Sequence, residues 1–174
     1  MCGIIGYIGP KQVTTLLVEG LRRLEYRGYD SAGIVTAERG ALTIAKSAGR
    51  VDDLAALLKR TSVRGSLGVG HTRWATHGPP NQVNAHPHVS QDGSIAVVHN
   101  GIIENATVLK QMLQGRGYTF SSDTDTEVLA HLIEECFDGN LEDAVLEALL
   151  QVEGTYGIAV ISGIDSHKIV AARK

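Results

Sequence analysis

The chain of 174 residues has little cysteine, proline or tryptophan, with two, four and one of each. Two cysteines, Cys2 and Cys136, make no disulfide framework at this length, so a reducing, cytoplasmic setting is expected. A basic excess is also missing, since 16 Lys and Arg stand against 19 Asp and Glu, a net charge of −3. Lys and Arg scattered without a basic face argue against a nucleic-acid binder. No run of about 18 apolar residues occurs and no basic segment leads an apolar stretch at the N-terminus, which argues against membrane spanning and secretion. Without a secretory signal, Asn105-Ala106-Thr107 reads as a chance sequon. What remains is a globular composition, 43% hydrophobic and 20% charged. A single domain with a core of its own is expected.

Periodicity sets the order of elements. Ile4 to Ile8 reads as a buried strand, and Val13, Leu16, Leu17, Leu21 and Leu24 share one helical face. Arg27-Gly28 supplies a basic last turn and a C-cap. Ala32–Ala37 and Leu42–Ala45 pair as a hairpin around Arg39-Gly40. A helix over Val51–Lys59 and a short strand over Gly68–His71 follow, and then the periodicity stops from Thr72 to Asp92, a length that is functional or disordered in a compact domain. Strand Ile95–His99, three apolar-striped helices around Val108, Val128 and Leu141, and closing strands Tyr156–Ile161 and Ile169–Ala172 complete the chain. This order suggests antiparallel sheets covered by helices. Because the strand pattern reaches the last residues, the chain reads as one domain cut from a longer polypeptide.

Cys2 carries the sharpest chemistry. Removal of Met1 would place a thiol of pKa ~8.5 and an α-amine of pKa ~7.8 on one residue, nucleophile and base together. A small buried side chain at a strand end is the equal alternative. Asn100-Gly101 after the apolar strand offers an amide and a backbone N–H to a developing oxyanion, yet the dipeptide alone reads first as a hairpin turn. Arg73, between Thr72 and Trp74 in the loop, suits bidentate carboxylate binding, or a surface ion pair. Asp123 to Glu127 precedes an apolar helix and reads first as capping, with one carboxylate free to hold an ammonium. His71, His77, His86, His88 and His99 invite a metal, but their spacing follows no ligand pattern, so none is expected. Gly65 to Gly70 matches neither a phosphate loop nor a dinucleotide fingerprint, and Cys136 reads as a core thiol.

Five segments taken in order change the weight of these alternatives. Met1-Cys2-Gly3-Ile4, His71 to Gly78 (HTRWATHG), Asn84 to His88 (NAHPH), His99 to Asn105 (HNGIIEN) and Thr124 to Glu127 (TDTE) resemble the class II glutamine amidotransferases, which are N-terminal nucleophile hydrolases. Arg23 to Gly33 (RLEYRGYDSAG) looks most like the glutaminase domain of the branch that makes glucosamine 6-phosphate from fructose 6-phosphate. The resemblance implies an α+β fold, a four-layer α/β/β/α sandwich of two antiparallel sheets, over residues 1–174. It implies that Cys2 attacks the carboxamide of L-glutamine and forms a γ-glutamyl thioester, with Asn100 and Gly101 as oxyanion donors. By the same likeness Arg73 binds the glutamine α-carboxylate with Thr76 and His77 beside it, Asp125 holds the α-amino group, and Trp74 is a gate. Arg27 and His86 are pocket neighbours. No cofactor is implied; the implied partners are C-terminal sugar-isomerase domains in a homo-oligomeric parent. With Met1 retained, the same pocket would bind glutamine without reacting.

Overall fold

The computed structural model describes residues 2–75 and 78–174. Strand β1 (Gly3–Ile8) leads into helix α1 (Val13–Leu24), which tightens into a 3₁₀ turn over Glu25–Arg27. The hairpin β2 (Ser31–Glu38) and β3 (Ala41–Ala48), helix α2 (Val51–Leu58) and strand β4 (Leu67–Arg73) complete the first half. The second half runs β5 (His88–Val89), β6 (Ile95–Ile103), α3 (Ala106–Gly115), α4 (Asp125–Glu135), α5 (Leu141–Leu150), β7 (Gly154–Ser162) and β8 (Val170–Arg173). All pairing is antiparallel, in two sheets of order β1-β4-β2-β3 and β5-β6-β7-β8.

The two-residue repeat of the strands builds the layers. In β2, Ala32 and Ile34 pack with Leu17, Leu21 and Leu54 of the helices, whereas Val35 and Ala37 point the other way. In β6, Ile95 and Val97 meet Leu129, Leu132 and Ile133 of α4, whereas Ala96 and Val98 join Val35, Leu67 and Val69 between the sheets. Helices thus cover the outer face of each sheet, and the inner faces pack on one another as an α/β/β/α sandwich. The layer between the sheets mixes the small Ala37, Ala96 and Ala159 with Val35, Leu67, Val69, Val98 and Ile161.

One local reading holds and three are corrected. Gly28 does end the helical segment, its N–H donating to the Glu25 carbonyl at 3.0 Å, in extended backbone with φ −179°. It is glycine because a Cβ there would lie 2.8 Å from the Arg73 carbonyl carbon and 2.9 Å from the Trp74 nitrogen. Arg73 is the last residue of β4 and not a loop residue, and it faces Ser31 across the ladder. Asn100-Gly101 is no hairpin turn either: both lie inside β6, opposite Gly157 and Tyr156. Turn propensity lost to a nine-residue strand whose neighbours supply every pairing partner. The loop expected over Thr72–Asp92 is shortened at both ends by β4 and β5.

Candidate active site

Cys2 stands immediately before β1, whose register places Gly3 opposite Thr72 of β4. The end of β4 therefore passes the thiol: the Trp74 N–H donates to Cys2 Sγ at 3.2 Å, and Sγ lies 3.7 Å from the Trp74 carbonyl. Two clefts meet there. Cys2, Trp74 and Gly101 line both; the inner one adds Arg73, His86, His99 and Asp125, and the outer one adds Arg27, Asn100 and Ile102. From the facing sheet, Asn100 Nδ2 donates to the Cys2 carbonyl at 3.3 Å. Residues from five separate segments of the sequence thus surround one partly exposed thiol.

Position along β4 decides where the cation sits. Leu67 and Val69 face the inter-sheet core, and the strand repeat carries His71 and Arg73 onto the same face at the open end. Arg73 is 3% exposed, and its Nη1 donates to the Pro79 carbonyl at 3.4 Å. Burial lowers its pKa, opposed by Cys2, Asp30 and Asp125, and guanidinium keeps its charge under such a shift. Asp125 opens α4, where the helix dipole favours a carboxylate, and its Oδ2 accepts the Ile103 N–H at 2.9 Å. Trp74 is 44% exposed, its ring edge-on to Tyr29 at 5.4 Å, and Asp30 Oδ2 accepts the Ala75 N–H at 2.8 Å to hold the segment beside the thiol. Thr76 and His77 lie outside the described residues.

The capping reading of Asp123 to Glu127 is corrected as well. Thr124 occupies the N-cap position, but its hydroxyl makes no cap bond and meets His88 Nε2 at 2.9 Å and Ser122 Oγ at 3.0 Å. Thr126 meets His86 Nε2 at 2.7 Å and His99 Nδ1 at 3.0 Å. Glu127 is buried, which pushes its pKa up, but bonds from Ser121 and Ser122 outweigh burial and hold it below the ordinary range. The segment thus ties the end of the long loop to the start of α4. Asp30 and Thr126 carry no role in the sequence-based expectations, and His71 and His99 enter there only in the metal alternative. The signal available was their place in RGYDSAG, HTRW, HNG and TDTE, next to residues given a role.

The histidine cluster has a structural account. His71 and His86 stack with centroids 4.2 Å apart, and the Nε2 atoms of His71, His86 and His88 and Nδ1 of His99 face protein oxygens. No group of three or more His, Cys, Asp or Glu able to hold a metal occurs among the described residues. Burial pushes His71 down to about 4 and His88 to about 3, and holds His86 and His99 below the ordinary imidazole value. Unfolding exposes these rings, which then bind protons near pH 6.5 while the folded state refuses them. Stability is therefore full above about pH 6.5 and falls below it, by on the order of 1.4 kcal/mol per pH unit for each such histidine, until the folded pKa is reached. Urea unfolding should show a clearly lower midpoint at about pH 5 than at about pH 7.5; equal midpoints would contradict neutral burial.

Comparison with known proteins adds to this geometry. A family model described as a glutamine amidotransferase domain matches residues 71–174. Glutamine–fructose-6-phosphate aminotransferase (isomerizing) of Pyrococcus horikoshii is 55% identical over 176 residues, covering 100% of this chain and 29% of that protein. The protein of the same name from Thermus thermophilus is 53% identical over 173 residues, covering 99% and 28%. Among solved structures, glutamine phosphoribosylpyrophosphate amidotransferase from B. subtilis, complexed with ADP and GMP, superposes with a TM-score of 0.85 at 30% identity, over 100% of this chain and 37% of that one. The chain spans about 29% of the length of the curated relatives it matches.

Proposed function

The chain belongs to the glutamine amidotransferase domain family, and on that premise we propose that it hydrolyses L-glutamine to L-glutamate and ammonia with Cys2 as nucleophile. The carrying observation is the convergence of a thiol, an amide donor, a buried guanidinium and a carboxylate on adjoining clefts. With Met1 removed, the free α-amine of Cys2 takes the thiol proton, and sulfur attacks the side-chain carboxamide carbon. Negative charge develops on the former carbonyl oxygen, where Asn100 Nδ2 and the Gly101 N–H donate. The C–N bond then breaks, the amine returns the proton, ammonia leaves, and water hydrolyses the thioester.

Arg73 and Asp125 read the two charges at the far end of glutamine and fix its carboxamide against sulfur. Thr76 and His77 assist them, Trp74 gates the cleft, and Arg27 and His86 shape its walls. Arg73→Lys keeps the charge but loses the two-pronged donor, so the KM for glutamine should rise roughly 10- to 100-fold with kcat within a few-fold. An unchanged KM would remove Arg73 from substrate binding.

In a longer parent, we propose, the ammonia passes to sugar-isomerase domains that aminate fructose 6-phosphate, as the names of the relatives suggest. The direct test of the domain is incubation with L-glutamine. Glutamate and ammonia should appear in equal amounts; a rise in thermal midpoint with glutamine and no glutamate would leave a binding module only.

A further inference from the structure

We infer that His71 is a positioning residue of the oxyanion site, its Nε2–H fixing the Asn100 carboxamide in the orientation that turns Nδ2 toward Cys2. The inference rests on the reading of Cys2 as nucleophile. His71 is wholly buried, with Nε2 3.0 Å from the His99 carbonyl oxygen and 2.8 Å from Asn100 Oδ1. A carbonyl can only accept, so the ring nitrogen facing it carries the proton. The Asn100 atom beside that nitrogen must then be the oxygen, because a flipped amide would set one donor against another. The far end gives the same answer independently: Nδ2 lies 3.3 Å from the Cys2 carbonyl, where a flipped amide would set oxygen against oxygen. Two acceptors that cannot change role, one on β6 and one at the nucleophile, thus select a single orientation.

His71 holds a proton but does not move one. Its Nδ1 has no hydrogen-bond partner among the described residues, and its ring stacks on His86 with an interplanar angle of 30°. Arg73, His86 and His99 are the charged or titratable groups around it, and burial keeps the ring neutral down to about pH 4. A neutral donor fixed in advance lets Asn100 meet developing charge without reorienting. His71 acts through Asn100 and not on the substrate.

The test is ¹⁵N NMR of histidine-labelled protein between about pH 6 and pH 9, which should show His71 as the Nε2–H tautomer throughout. An Nδ1–H tautomer, or an ordinary imidazole titration, would overturn the assignment. This readout needs no turnover, so it is separable from the nucleophile reading. Turnover then tests the purpose. His71→Leu should lower kcat about 10-fold or more with the glutamine KM within about 2-fold, and His71→Gln, whose amide N–H can replace the donor, should recover most of the loss. A loss confined to KM, or a Gln variant no better than a folded Leu variant, would contradict the positioning role; where the Leu variant does not fold, the tautomer and the Gln variant decide. Wild-type protein that has lost Met1, with the expected tautomer and no glutaminase activity, would sink the nucleophile reading, and the catalytic purpose of His71 with it.

Discussion

Cys2→Ala is expected to abolish glutamine hydrolysis, with kcat falling on the order of 10⁴-fold or more, while the fold survives. The size follows from the proposed route: without sulfur no thioester forms, and only the oxyanion donors and substrate positioning remain. The substitution is structurally mild. Cys2 is partly exposed ahead of β1, its sulfur is hydrogen-bonded only to the backbone of Trp74 among the described residues, and alanine keeps the carbonyl that accepts from Asn100. Glutamine should therefore still raise the thermal midpoint of the variant. Cys136→Ala is the companion experiment. That thiol packs against the helix-covered core beside Phe137, and burial pushes its pKa up, away from the reactive thiolate, so its loss should leave turnover unchanged. Glutamate release within tenfold of wild type in Cys2→Ala would remove Cys2 as the nucleophile.

Gly101→Ala should have the next largest effect, a fall of roughly 10²- to 10³-fold in kcat with little change in KM. Gly101 has φ +141°, a region that side chains rarely enter, and an added Cβ would run into the Thr155 carbonyl oxygen on β7. The strained backbone should lower stability by about 1–3 kcal/mol. In the proposed route it must also move the Gly101 N–H away from the oxyanion, whereas the proposed contacts of Arg73 and Asp125 with the charged end of glutamine are untouched. Gly40→Ala separates the two effects. Gly40 has φ +83° in the β2–β3 hairpin, at the opposite end of β2 from the Ser31–Arg73 pair, so it should lose stability and keep kcat. If Gly101→Ala keeps full kcat, the backbone donor plays no part in the chemistry.

The residues that announce this site are legible in the sequence because they are unusual: a cysteine at position 2, and Arg, Asn-Gly and Asp in short polar motifs between apolar runs. Element order is legible for a related reason, since helical stripes such as Val13, Leu17 and Leu21 and strand alternation such as Ile34 and Val35 each report one face. What stayed hidden depends on neighbours remote in sequence. Asn100-Gly101 favours a turn locally, and only the partners Gly157 and Tyr156, more than fifty residues on, keep it in a strand. Gly28 reads correctly as a helix stop, but the Arg73–Trp74 backbone that leaves no room for a Cβ there has no local signal in the sequence. The histidines resisted a local reading for the same reason: the partner of His86 is Thr126, and that of His71 is Asn100. Spacing in the chain says nothing of such pairs, whereas the sandwich brings them within hydrogen-bond distance.

The most direct measurement is an intact mass spectrum of the purified protein before and after exposure to a diazo-ketone analogue of glutamine, with peptide mapping of any adduct. The account predicts loss of Met1 and a single adduct on Cys2, blocked by excess L-glutamine. An adduct on Cys136, or none at all in protein that has lost Met1, would contradict it.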